Sequence, residues 1–220
     1  MPDSVPQPTG TALRWTVLVP VKALPGAKSR LADFSTDTEA HARLVHAIRD
    51  DTLAAARAAT GVARVVRIGD TVDVEHELLQ RRPGLNAALA EGARHARTRW
   101  PHDGIAALVG DLPALTPAEL ARTLDIAAQH ATAFVPDATG TGTTLLTARP
   151  PARLAPLFGP DSAARHGGSG AAVLPAGPGL RQDVDTADDL RAALLLGVGQ
   201  HTLAVLAGQR TSAVHRHGAS

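Results

Sequence analysis

Residues 105–116 read IAALVGDLPALT, a run of small and branched apolar side chains that ends on Gly110 and Asp111. The run does not alternate between apolar and polar residues, which is typical of a strand covered on both faces in a parallel sheet. Such sheets bind their ligands at the carboxyl ends of the strands, where Asp111 would lie. Asp111 is therefore a candidate ligand-binding residue, and the ordering of a turn is an equal alternative.

The elements on either side of this strand predict an α/β fold. Strands are predicted at 15–21, 62–68, 105–109, 131–135 and 172–174, and helices at 36–59, 85–99, 116–130 and 186–196, with a weakly helical stretch at 71–80. One mostly parallel central sheet with helices on both faces accounts for this order. We expect a single domain at 15–197, a flexible lead-in at 1–14, and a C-terminal extension at 198–220 with a polar, mobile end.

The composition excludes several classes of protein. Of the 220 residues, 44% are hydrophobic and 20% are charged, as in an ordinary soluble globular domain. A net charge of +1 and the absence of Tyr argue against nucleic acid and anionic lipid as partners. The absence of Cys excludes disulfides and thiol chemistry. No apolar run reaches the ~18 residues of a membrane span, so we expect a cytoplasmic enzyme with a small-molecule partner.

A basic loop follows the first strand. Residues 22–31 read KALPGAKSRL and carry Lys22, Lys28 and Arg30. Cationic side chains and backbone N–H groups at the start of a helix can hold a polyphosphate. The loop lacks the Walker A pattern, and a solvated turn is the alternative.

Three further stretches carry polar groups suited to ions. Asp183 and Asp185 are two residues apart, so in extended backbone they point to the same side and could hold one cation. Thr186 to Asp189 also fits a capping box, and both interpretations can hold together. Residues 137–144 (DATGTGTT) suit a carboxylate or phosphate or form a plain turn, and Asp161 or Ser162 could cap a short helix facing an anion. The ten His residues lack metal-site spacing and are interpreted as surface or helix residues.

Carboxylates for Mg2+ and cations for a leaving pyrophosphate are what metal-assisted nucleotidyl transfer requires. In this light five motifs resemble those of the CofC/FbiD guanylyltransferases of coenzyme F420 biosynthesis, in the same order and over residues 15–196. They are VPVKALPGAKSRL, LVGDLPALTPAEL, VPDATGTGTTLL, FGPDSAARH and LRQDVDTADDL. The resemblance implies a single Rossmann-like nucleotidyltransferase domain of the GT-A type. It also implies transfer of GMP from GTP to a phosphorylated three-carbon acid, either phosphoenolpyruvate or 2-phospho-L-lactate.

The resemblance assigns roles to individual residues. Asp111, Asp183 and Asp185 would hold Mg2+, and Thr143, Gly159 and Ser162 would bind phosphoenolpyruvate. The expected nucleotide-binding residues are Lys22, Lys28, Ser29, Arg30, Gly84 and Asn86. Lys28, Arg30 and Asp111 would be catalytic. Asn86 could instead merely cap its helix.

The sequence departs from the family between Asp70 and Gly84, where 13 residues replace an extra helix and a strand ending in acidic residues. This shortening leaves guanine recognition open and favours, as one alternative, a catalytically silent nucleotide-binding module. A molybdopterin or sugar-phosphate nucleotidyltransferase is another. Closest similarity to the actinobacterial branch favours phosphoenolpyruvate, whose product would pass to a downstream transferase. The oligomeric state is not predicted.

Overall fold

The computed structural model describes residues 12–21, 38–69, 77–79 and 84–217. Its strands are β1 (Trp15–Val21), β2 (Val62–Gly69), β3 (Glu77–Leu79), β4 (Gly104–Leu108), β5 (Thr132–Pro136), β6 (Thr143–Ala148) and β7 (Ala172–Val173). Its helices are α1 (Thr38–Ala58), α2 (Leu85–Arg99), α3 (Pro117–Ala127), α4 (Ser162–Gly168), α5 (Pro178–Arg181), α6 (Ala187–Leu196) and α7 (Gln200–His217). Strands and helices alternate along most of the chain, as an α/β fold requires.

The described strands form one seven-stranded sheet in the order β3-β2-β1-β4-β6-β5-β7. Strand β1 pairs in parallel with β2 and β4, and the pairs β2–β3 and β5–β7 are also parallel. Strand β6 is antiparallel to both β4 and β5. The predicted mostly parallel central sheet is therefore confirmed, and β1 and β4 lie side by side within it.

Helices cover both faces of this sheet because successive side chains of its central strands point in opposite directions. On one face Val17 of β1 belongs to a buried cluster with Leu53 of α1 and Leu120 of α3. On the other face Leu18 belongs to a second cluster with Leu89 of α2. Burial of each such side chain contributes about 1.5–3 kcal/mol to the free energy of folding. Because both faces are buried, the central strands carry apolar residues at successive positions.

Two helices begin with capping boxes, and the sequence predicts the one at Thr186–Asp189. Thr116 Oγ1 accepts from the N–H of Glu119, whose carboxylate accepts from the N–H of Thr116. At α6, Thr186 Oγ1 accepts from the N–H of Asp189, whose carboxylate accepts from the N–H of Thr186 at 2.8 Å. These bonds fix the point where each helix starts.

Two elements differ from the sequence-based expectations. Residues 77–79, within the stretch predicted to be weakly helical, form β3 beside β2. That prediction is wrong there because sheet pairing outweighs a weak helical preference. Mixed apolar positions beyond Gly197 predict no helix, yet α7 occupies residues 200–217. The domain boundaries at 14 and 197 stay predictions.

A buried acid joins α7 to α1. The carboxylate of Asp51, 5% exposed, accepts the N–H groups of His201 and Thr202, both at 2.9 Å. These are N–H groups of the first helical turn, which have no partner within their own helix.

Within the described part of the chain no single helix is long and apolar enough to cross a membrane. Helices α6 and the start of α7 reach that length and hydropathy only together, across a bend of 118°.

Candidate functional site

The carboxyl ends of β1 and β4 meet at a glycine. A Cβ added to Gly110, two residues after β4, would lie 3.2 Å from the carbonyl oxygen of Pro20 in β1. A side chain there would require the neighbouring backbone to shift by a few tenths of an ångström, since that distance is tighter than nine in ten natural Cβ contacts. The close approach places Asp111 at the edge of the sheet where β1 also ends, as the sequence predicts.

A long-range hydrogen bond brings the three predicted metal carboxylates onto neighbouring backbone segments. The N–H of Val184 donates to the carbonyl oxygen of Asp111 at 3.0 Å. Val184 itself is fully buried against α1 and α6. Its neighbours Asp183 and Asp185 are half-buried and exposed, respectively. The structure thus places Asp111 beside the segment that carries both C-terminal acids.

The electrostatics of this junction are those of crowded acids. Burial, followed by the negative charges of Asp111, Asp185 and Asp137, raises the pKa of Asp183 from 3.8 to about 7. A hydrogen bond with its own backbone opposes this rise. Like charges that share a site favour the protonated acid, and a bound cation would favour the ionised one.

The donor set at this junction fits a hard divalent cation. Among the described residues, no three or more His, Cys, Asp or Glu side chains are already arranged as a metal cage. Mg2+ does not require one, because it is usually held by one or two carboxylates together with water and substrate phosphate oxygens. These carboxylate oxygens therefore suit Mg2+, and the phosphates of a nucleotide would complete its coordination.

Asp137 is a fourth acid that the sequence reasoning missed. Its Oδ1 accepts the N–H of Thr141 at 3.0 Å and its Oδ2 accepts the N–H of Gly142 at 2.9 Å, which closes the β5–β6 turn. The carbonyl oxygen of Asp137 accepts from Arg181 Nη2 at 2.7 Å. An Asp followed by Thr and Gly residues is a typical turn signal, but only the fold brings it near Asp183.

The residues predicted to bind the acceptor lie on two bonded segments. Thr143 begins β6, whereas Gly159 and Ser162 frame the turn into α4, and the N–H of Ser162 donates to the carbonyl of Gly159 at 3.1 Å. The N–H of Ala163 donates to the carbonyl of Thr141 at 3.0 Å, which ties the segments together. Gly159 has a φ of 119°, a conformation that side chains rarely adopt. Asp161 precedes α4 but makes no side-chain cap.

His166 was not singled out from the sequence, because the position of a lone histidine in the sequence does not show whether its side chain is buried. It lies in α4, as a helix residue, but is 0% exposed. Its Nδ1 lies 2.9 Å from Thr143 Oγ1, and its Nε2 accepts the N–H of Leu157 at 2.9 Å. Burial, and then the charge of Arg165, lowers the pKa of His166 from 6.5 to about 4, so the ring is neutral at physiological pH.

Asn86 and Gly84 lie beside the same loop. Asn86 Nδ2 donates to the carbonyl of Phe158 at 2.9 Å, and its Oδ1 accepts the N–H of Phe158 at 2.8 Å. Gly84 is the N-cap of α2, with a φ of 96°, and Asn86 makes no cap. The Asn86 side chain therefore clamps the 158–162 loop to α2, and the predicted nucleotide contact would have to use its remaining N–H.

The other predicted nucleotide-binding residues, Lys22, Lys28, Ser29 and Arg30, lie outside the described residues. Their segment follows Val21, the last residue of β1, which pairs with Gly69 at the carboxyl end of β2. β1 therefore ends at the same edge of the sheet as Asp111.

A cavity of about 380 Å³ lies elsewhere, between α2 and Leu154, and is lined in part by Arg94, Arg97 and Arg153. It opens near Ile105, at the amino-terminal half of β4. Arg97 already donates to the carbonyl oxygens of Pro101, Asp103 and Ala152. This cavity contains none of the predicted site residues.

Comparisons with known proteins identify relatives over most of the chain. Phosphoenolpyruvate guanylyltransferase of Streptomyces coelicolor is 50% identical over 206 residues, covering 89% of this chain and 97% of the relative. The Thermomonospora curvata protein of the same name is 44% identical over 206 residues, covering 89% and 90%.

Solved structures share the fold at low sequence identity. A protein of Desulfovibrio desulfuricans G20, described as a candidate nucleotide-diphospho-sugar transferase, is 15% identical with a TM-score of 0.63, covering 93% of this chain and 98% of that one. A nucleotidyl transferase of Methanothermobacter is 18% identical with a TM-score of 0.57, covering 83% and 97%. The model of the family described as "Guanylyl transferase CofC like" matches residues 15–166. As the sequence motifs predict, the chain belongs to the CofC-like guanylyl transferase family.

Proposed function

We propose that this protein transfers GMP from GTP to the phosphate of phosphoenolpyruvate, releasing pyrophosphate and forming enolpyruvyl-diphospho-5'-guanosine for coenzyme F420 biosynthesis. Relatives 44–50% identical over about nine-tenths of the chain carry the name phosphoenolpyruvate guanylyltransferase. The observation that carries the proposal is the Val184–Asp111 hydrogen bond, which joins the end of β4 to the two C-terminal acids.

In this proposal Asp111, Asp183 and Asp185 hold Mg2+. When bound, the ion supplies charge neutralisation on the nucleotide phosphates. The raised pKa of Asp183 supports this assignment, because acids that repel one another are stabilised by a shared cation. Lys28 and Arg30 would neutralise the charge of the leaving pyrophosphate. Lys22, Ser29 and Gly84 would contact the nucleotide.

The acceptor is assigned to Thr143, Gly159 and Ser162. Both hydroxyl residues are buried, at 6% and 1% exposed, so a bound phosphate would be shielded from water. A phosphate oxygen of the acceptor attacks the α-phosphorus of GTP in line, the P–O bond to pyrophosphate breaks, and pyrophosphate leaves with the electron pair. No general base is needed, since that oxygen is already anionic at neutral pH. The chain contributes position and charge.

The test is to incubate purified protein with GTP and Mg2+ and each of four acceptors, and to follow pyrophosphate. The acceptors are phosphoenolpyruvate, 2-phospho-L-lactate, a sugar phosphate and molybdopterin. We expect release with phosphoenolpyruvate and loss of release when Mg2+ is chelated. Preference for 2-phospho-L-lactate, which differs only by reduction at C2 and C3, would keep the chemistry and change the acceptor. Nucleotide binding without release for any acceptor would contradict the proposal and favour a silent nucleotide-binding module.

A further inference from the structure

One imidazole links the two segments assigned to the acceptor. His166 contacts Thr143 at the start of β6 through Nδ1 and the backbone of Leu157, two residues before Gly159, through Nε2. The rings of Phe134 and Phe158 flank it, with centroids 5.8 Å and 5.3 Å away. The imidazole is therefore held by two hydrogen bonds and packed against two aromatic rings.

The partners of His166 determine which ring nitrogen carries the proton. A backbone N–H can only donate, so the Nε2 that faces Leu157 must be unprotonated and accept. The neutral ring then carries its hydrogen on Nδ1 and donates it to Thr143 Oγ1. A doubly protonated ring would set an N–H against the N–H of Leu157, and the low pKa of His166 agrees with its exclusion.

This tautomer also sets the polarity of the Thr143 hydroxyl. Because Thr143 Oγ1 accepts from His166, its own O–H hydrogen is left to donate. Among the residues that the structure describes, no carbonyl or carboxylate accepts that hydrogen. A buried hydroxyl held in this way is a donor for an anionic oxygen.

We propose that His166 is a positioning residue for the acceptor, holding the Thr143 hydroxyl as a hydrogen-bond donor to an anionic oxygen of the phosphorylated acid. The proposal rests on the proposed function, through the assignment of Thr143 to the acceptor. The same ring sets the spacing between Thr143 and the loop that carries Gly159, so both contacts to the acceptor depend on it.

Two amide substitutions test the two hydrogen bonds of His166 separately. In His166→Asn the amide nitrogen stands near the position of Nδ1 and can still donate to Thr143. In His166→Gln the amide oxygen stands near the position of Nε2 and can accept from Leu157, but the donor to Thr143 is lost. We expect His166→Gln to raise the KM for phosphoenolpyruvate roughly 10- to 100-fold, His166→Asn to raise it less, and neither to change the KM for GTP.

A merely structural role predicts a different result. Both variants would then lower thermal stability and the yield of active protein, with unchanged KM values for both substrates in the folded fraction. That outcome would overturn the proposal, as would a KM for phosphoenolpyruvate that rises more in His166→Asn than in His166→Gln.

A second pair of measurements does not depend on whether the His166 variants fold. Thr143→Ser keeps the hydroxyl and should retain the KM for phosphoenolpyruvate within a few-fold, whereas Thr143→Val should raise it at least as much as His166→Gln. In the wild-type protein at pH 7, nitrogen-15 NMR should show His166 as the Nδ1–H tautomer, identified by its contacts with the rings of Phe134 and Phe158. The Nε2–H tautomer or a charged ring would overturn the proposal.

These outcomes separate the two proposals. If none of the four acceptors leads wild-type protein to release pyrophosphate, the proposed function fails. The role of His166 then fails with it, whichever tautomer is found. If wild-type protein uses phosphoenolpyruvate but Thr143→Val leaves its KM unchanged, the function stands and the role of His166 fails.

Discussion

The two ends of the central sheet handle buried charge in opposite ways. At the amino-terminal end, Arg64 contacts the carboxylate of Asp103 and donates to Thr16 Oγ1 at 2.9 Å, and Thr16 donates to Asp103 at 2.9 Å. The Arg64 guanidinium also lies 4.1 Å above the ring of Trp100. At the carboxyl-terminal end, burial and then the like charges of neighbouring acids raise the pKa of Asp183 to about 7.

This difference separates charged side chains that stabilise the fold from charged side chains that are available to bind a ligand. The charges of Arg64 and Asp103 are balanced by each other within the chain. Carboxylates that raise the pKa of a neighbour lower the stability of the fold at neutral pH and favour a cation at the same place. The amino-terminal end should therefore respond to substitution in stability, and the carboxyl-terminal end in activity.

The largest expected effect is on catalysis. Asp185→Asn should lower kcat for pyrophosphate release by about 10²- to 10⁴-fold, because it removes a proposed metal carboxylate while leaving the fold intact. The matched control is Asp188→Asn, three residues further along and 90% exposed, which should keep near-normal kcat. Steady-state kinetics and circular dichroism on both variants check this. Near-normal turnover of Asp185→Asn would remove Asp185 from the site.

The opposite end should show the largest effect on stability. Asp103→Asn leaves the half-buried Arg64 guanidinium without its carboxylate, and breaking such a pair costs about 3 kcal/mol. We expect the midpoint of urea unfolding to fall accordingly, with kcat per folded molecule unchanged. A stable but inactive Asp103→Asn protein would contradict the proposed division between the two ends.

Asp183→Asn should stabilise the metal-free protein while abolishing activity. The pKa of Asp183 is about 7 in the folded state and 3.8 as its ordinary value, so folded protein holds the proton more tightly. The stability from this group is complete below pH 3.8 and is lost as pH rises through 7. Asparagine cannot ionise, so unfolding in chelator should show a gain of up to about 4 kcal/mol at pH 8, the free energy that corresponds to a pKa shift from 3.8 to about 7. No gain at pH 4 is expected, and a loss at pH 8 would contradict the account.

A smaller effect is expected where α2 meets the loop that bears Gly159. Asn86→Asp can still accept the N–H of Phe158 but cannot donate to its carbonyl, which costs about 1 kcal/mol for one hydrogen bond. Asn86→Ala loses both bonds and should cost about twice as much. Urea unfolding of wild type and both variants measures each bond. Equal stabilities of wild type and Asn86→Asp would show that the bond to the Phe158 carbonyl contributes nothing, and equal stabilities of the two variants would show the same for the bond from the Phe158 N–H.

Local features of the fold were predictable from the sequence. The bounds of β1 and α2 and the capping box at Thr186–Asp189 match the predictions, because apolar runs, caps and breakers act over a few residues. The antiparallel insertion of β6 between β4 and β5 was not predicted, since pairing depends on residues distant in the chain. Strand β3 and helix α7 were missed for the same reason, as both owe their stability to tertiary contacts.

The site divides in a similar way. Asp111 and the two C-terminal acids could be singled out because each stands beside a recognisable strand or cap. Their adjacency could not, because one hydrogen bond across 73 residues establishes it. Asp137 and His166 have no distinguishing spacing, and their contacts appear only in the fold. The individual roles of the predicted site residues stay predictions.

The central claim is that the acids at the carboxyl-terminal end converge on a divalent cation. A carbon-13 NMR titration of the Asp183 carboxyl, assigned by its loss in Asp183→Asn, tests it most directly. The account predicts a midpoint near 7 in metal-free protein and a fall towards 3.8 when Mg2+ and GTP are added. A midpoint near 3.8 without metal, unchanged by Mg2+ and GTP, would contradict it.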